Sequence, residues 1–95
     1  MDLIKMVKEK TQHADEHQEL FSEKKDLVVH NDDFNTFDFV TKTLIEVCDH
    51  APEQAEQCTL IIHFNGKCVV RSGYFDILEP MYREILKRGI TATIE

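Results

Sequence analysis

The chain has 95 residues, 42% hydrophobic and 31% charged, with a formal net charge of −7. That length holds one small domain with a limited core, and the composition belongs to a globular rather than a disordered chain. A bilayer-spanning helix is excluded because no apolar run approaches the ~20 residues it needs, and nucleic acid is disfavoured because an acidic body repels phosphate backbones.

Residues 1–25 contain five Lys and six acidic residues and no apolar stripe to anchor them. They read as a flexible N-terminal extension ahead of a folded domain over 26–95. Lys5 and Lys8 interrupt the Leu3-Ile4 and Met6-Val7 pairs, so no signal-peptide core forms and a cytoplasmic location is expected. His13 and His17 have the i,i+4 spacing of a helical metal pair, but without a third ligand they make no site, and no metal is expected. The domain carries the charge imbalance, with six Lys/Arg against twelve acidic residues, which suits a cationic partner group. Cys48, Cys58 and Cys68 are odd in number and form no C-x-x-C pair. They read as small buried apolar residues in a reducing compartment, not as a disulfide framework or zinc ribbon.

The first strand is expected at Leu27-Val28-Val29-His30, ended by the polar cluster Asn31-Asp32-Asp33. A helix follows, with Asn35 as N-cap and Asp38 three residues later in a variant capping box. Phe37, Val40, Leu44 and Val47 give its apolar face, and it should stop near Asp49-His50, just before Pro52. Pro52 and Glu53 open a second helix. The run Thr59–Phe64 is ambiguous: its β-branching reads as a strand, while Ala55, Cys58, Thr59 and Ile62 fall on one face of a continuing helix. Asn65-Gly66 marks a turn and Cys68-Val69-Val70 a strand. A third helix presents Ile77/Leu78, Met81, Ile85 and Leu86, with Pro80 near its first turn or kinking it, and ends in Lys87-Arg88-Gly89. Ile90–Ile94 closes the chain as a strand. The order β-α-α-β-α-β implies an α+β domain, a small three-stranded antiparallel sheet packed with three helices.

The densest polar cluster is Asn31-Asp32-Asp33, with Asn35 and Asp38 close by. Its alternating Asn31, Asp33 and Asn35 resemble the start of a calcium loop, but Thr36 and Lys42 stand where that loop needs Gly and Glu. Asp33 with His63 would make an acid–base pair, yet nothing in the chain supplies a nucleophile or cofactor site to accompany it. A turn and helix cap account for one or two of these residues, not for three in a row and a later cap. No phosphate-cradling glycine loop is present, so neither ATP nor any other cofactor is expected.

Val29-His30-Asn31-Asp32-Asp33-Phe34-Asn35-Thr36-Phe37-Asp38-Phe39-Val40, followed by Glu53-x-Ala55 and His63-Phe64-Asn65-Gly66-Lys67, resembles ClpS, the N-end-rule adaptor family of Clp proteases. The resemblance covers roughly residues 26–95 and is strongest up to Gly73. It implies that the chain is not an enzyme but an adaptor for proteins bearing N-terminal Leu, Phe, Tyr or Trp, delivered to the N-terminal domain of a Clp AAA+ unfoldase. It also implies that 52–63 is helical, with Asn31, Asp32 and His63 holding the substrate α-amine. Asp33, Asn35, Phe37, Val40, Thr59, Ile62 and Ile90 are the implied rim and walls of a pocket for the first side chain. An α-ammonium is mostly charged at neutral pH and offers three N–H donors, which a carboxamide oxygen, a carboxylate and a neutral imidazole can accept. The chain departs from the family pattern at Thr36, a frequent proline, at Phe37 and Thr59, frequent methionines, and at Met81, often basic. The competing reading is a general protein-interaction domain of the same fold without N-terminal selectivity.

Overall fold

The computed structural model describes residues 23–95, and Leu27-Val28-Val29 form the centre of its sheet. The elements are β1 (Lys24–His30), α1 (Phe37–Cys48), α2 (Pro52–Asn65), β2 (Lys67–Tyr74), α3 (Phe75–Lys87) and β3 (Ala92–Ile94). The sheet order is β2-β1-β3 with both pairings antiparallel, which is the expected α+β architecture. Lys24 and Lys25, which composition places in the leader, are the first residues of β1. The leader through residue 22, with His13 and His17, lies outside the described residues.

Leu27 and Val29 join Leu44, Cys48, Ala55, Ile62, Leu78 and Ile85 in one core between sheet and helices, while the pleat turns Val28 to the other face. β2 extends past Val70 because Arg71–Tyr74 also pair with β1. The pairing skips from Leu27–Arg71 to Val28–Val69, leaving Val70 as a bulge. The Val70 carbonyl accepts a 2.7 Å hydrogen bond from Nε2 of the buried His50. A carbonyl only accepts, so this bond fixes the Nε2–H tautomer, and Nδ1 is left without a partner among the described residues.

Thr36, not Asn35, caps α1: its Oγ1 accepts from the Phe39 amide at 3.1 Å. Asn35 is otherwise engaged, its amide donating to Asp32 Oδ2 (2.8 Å) and to the Gly89 carbonyl (3.0 Å). The far end of α1 turns at Asp49, in left-handed geometry at φ 62°, and Arg71 Nη1 donates to the Cys48 carbonyl at 2.8 Å. An otherwise orphaned helix-end acceptor is thereby satisfied by a cation.

The ambiguous run is helical. Ala55, Thr59 and Ile62 are buried on one side of α2 and Cys58 is half-buried, as a 3.6-residue period requires. Asn65-Gly66 is therefore a helix terminus and not a hairpin turn, with Gly66 at φ 94°. Nothing lies within 4 Å of where its Cβ would be, so glycine is needed there for its backbone freedom alone. In α3 the inward face is Leu78, Met81, Tyr82 and Ile85, and Ile77 and Leu86 are exposed, contrary to expectation. Pro80 lies beyond the first turn of α3, on its exposed side. β3 is shorter than Ile90–Ile94, although the Thr91 carbonyl already accepts the His30 amide at 2.9 Å. All three cysteines are free thiols; Cys48 is buried, but Cys58 and Cys68 are only half-buried.

Candidate functional site

β1 runs out at His30, and the next amide, that of Asn31, donates to the Gly66 carbonyl at 2.8 Å. That bond sets the 31–35 loop against the end of α2, one turn from His63. The loop itself is wound around Asp32. Oδ1 accepts from the Phe34 and Asn35 amides (2.9 and 2.8 Å), and Oδ2 accepts from the Asn35 side chain. Burial pushes the Asp32 carboxyl up, but the hydrogen bonds from Asn35 and Phe34 outweigh it and hold it below its ordinary value. A carboxylate has about four acceptor positions, so Asp32 keeps one for a ligand.

Between this loop, the start of α1 and the inner side of α2 lies a cavity of about 380 Å³, a volume suited to a small ligand group. Asn31, Asp32, Asp33, Asn35, Phe37, Val40, Thr59, Ile62 and His63 all line it, with Thr36. The lining has two carboxylates and no Lys or Arg. Asn31, Asp33 and His63 are exposed at this site. The polar atoms of Phe37, Val40 and Ile62 are confined to the main chain, so their side chains give the lining its apolar part. Thr59 is polar but internally satisfied, its hydroxyl donating to the Ala55 carbonyl (2.8 Å) and accepting from Thr41 (2.9 Å).

Ile90 is absent from the lining and is buried at 3% exposure within the core, because the chain turns inward after Gly89. Thr36 does line the cavity; its signal was the preference for Thr at N-cap positions, obscured by Asn35 immediately before it. The Asp33/His63 pair also faces this cavity, beside the Thr36 and Thr59 hydroxyls, which are engaged as helix cap and in the Thr41–Thr59–Ala55 hydrogen bonds. Among the described residues no group of three His, Cys, Asp or Glu is placed to hold a metal, and no helix is long and apolar enough to cross a membrane.

Residues 22–93 match the family described as ATP-dependent Clp protease adaptor protein ClpS. The chain belongs to the ClpS family. Among its ClpS relatives, the ATP-dependent Clp protease adapter protein ClpS of Clostridium acetobutylicum is 33% identical over 61 residues, 64% of this chain and 60% of that protein. The ClpS of Helicobacter hepaticus is 43% identical over 49 residues, 52% and 50% of the two chains. Both alignments thus span under two thirds of the relative's own length. Agrobacterium tumefaciens ClpS2, solved bound to L-phenylalaninamide, superposes with a TM-score of 0.73 at 24% identity, covering 77% of this chain and 95% of that one. At that identity the likeness establishes a shared ClpS fold.

Proposed function

We propose that this protein is a cytoplasmic adaptor that captures other proteins by a free N-terminus beginning in a large apolar residue and delivers them to a Clp AAA+ unfoldase. The observation that carries the reading is the division of one cavity between acceptors and apolar side chains. Asn31, Asp32 and His63 take the α-ammonium, and Phe37, Val40, Thr59 and Ile62 surround the first side chain, with Asp33 and Asn35 at the rim. A charged-group hydrogen bond contributes about 1.5–3 kcal/mol and a buried large apolar side chain a similar amount. Only a chain end collects both contributions, because an internal amide has no charge and one donor at most. The ligand of the Agrobacterium protein has the same two parts, an α-amine and an apolar side chain. Since this chain matches only part of its curated relatives, delivery and the unfoldase's N-terminal domain as partner belong to the same proposal.

Fluorescence polarisation with peptides starting in Leu, Phe, Tyr or Trp, each compared with its N-acetylated form, tests it. The free forms should bind at least tenfold more tightly. Equal affinity for free and acetylated peptides overturns the reading in favour of a general interaction domain.

A further inference from the structure

The two most exposed large apolar side chains among the described residues are Phe34 (93%) and Phe64 (76%), each next in sequence to residues that line the cavity. Phe34 lies between the lining residues Asp33 and Asn35, and Phe64 directly follows His63. Neither position is accidental in its geometry. The Phe34 amide is held by Asp32 Oδ1 at 2.9 Å, and the Phe64 ring meets the His63 ring edge-on, with centroids 5.0 Å apart at 78°. The Asn31–Gly66 backbone bond then fixes the loop that carries Phe34 relative to the helix end that carries Phe64.

An aromatic ring left this bare gives up the free energy its burial would contribute, and the Phe64 ring packs on an imidazole that lines the cavity. Consecutive Cα atoms are 3.8 Å apart. When the first residue occupies the cavity, the second therefore stands at its rim, within reach of side chains there. We infer that Phe34 and Phe64 form a second subsite, which selects captured chains by an apolar side chain at their second residue. The inference rests on the reading of the cavity as a site for a chain's first residue. Phe64 has an additional part to play, since its edge contact orients the His63 ring.

The test is a set of Phe-initiated peptides identical except for Leu, Ser or Gly at the second residue, titrated against the full chain and its Phe34→Ala and Phe64→Ala variants. Leu should bind about three- to tenfold more tightly than Ser or Gly, the effect of a few tens of Å² of apolar contact, and that ratio should fall toward one in each variant. The ratio is informative even where a variant weakens all peptides together. Equal affinities in the wild-type chain, or a ratio that survives in both variants, overturn the subsite and leave first-residue capture standing. Failure of every free-N-terminus peptide to bind overturns both.

Discussion

Asp32 holds the 31–35 loop by accepting hydrogen bonds from the chain around it. Its folded carboxyl lies below the ordinary carboxylate range, so the ionised form is the stabilising one. That stability is fully present above the unfolded-state value and is lost as pH falls through the folded one. In urea melts from pH 6 downward, the stability gap between wild type and Asp32→Asn should narrow as the solution becomes acidic; a constant gap would contradict the assignment. Asn31 and His63 are exposed and make no side-chain hydrogen bond with another described residue, so Asn31→Ala and His63→Ala should leave the melting temperature nearly unchanged. Each should weaken N-terminal peptides about 10- to 100-fold, the worth of one hydrogen bond to a charged group, and a loss of stability comparable to the loss of binding would argue for a structural role. That these residues line one cavity was legible because their types and order match the family pattern. The cap was not: Asn35 and Thr36 are both good N-caps, and a contact to Gly89, 54 positions away, decides between them.

At the scale of elements, α3 departs furthest from ideal chemistry. Pro80 has no N–H to give the Asp76 carbonyl, and a proline inside a helix costs about 3 kcal/mol relative to alanine. Its side is exposed, so packing does not offset this, although proline recovers about 0.4–1 kcal/mol by restricting the unfolded chain. Pro80→Ala should therefore stabilise the domain by about 2 kcal/mol in urea denaturation. An unchanged or lowered midpoint would mean that Pro80 sets a bend the packing of Leu78 and Ile85 requires. The existence of α1 and α3 was readable from period and punctuation. The start of α2 at Pro52 was readable too, but its length was not, since Thr59–Phe64 satisfies strand and helix patterns equally and the family resemblance alone chose between them. The length of β2 was hidden for another reason: Arg71, Ser72 and Gly73 have little strand propensity of their own and are extended by pairing with β1.

For the whole molecule, the buried thiol of Cys48 reports on global opening. Burial pushes it up to about 11, so at neutral pH it is both inaccessible and protonated. Its alkylation by iodoacetamide should be slow in the native protein and rise with urea in step with unfolding; rapid native labelling would show that α1 opens locally. The topology was legible as an order of elements, while the sheet order β2-β1-β3 depends on pairings between residues more than 60 positions apart that no local pattern encodes. That order has a practical outcome. Under the proposed function the ligand meets the loop that directly continues the middle strand, the one paired on both sides, and because it binds only the folded state, occupancy and resistance to heat are linked. A peptide present at 100 times its dissociation constant adds about 2.7 kcal/mol, which for a domain this small raises the melting temperature by about 10–20 °C. The peptides that test the proposed function can thus be ranked in a dye-based melt without labelling either molecule.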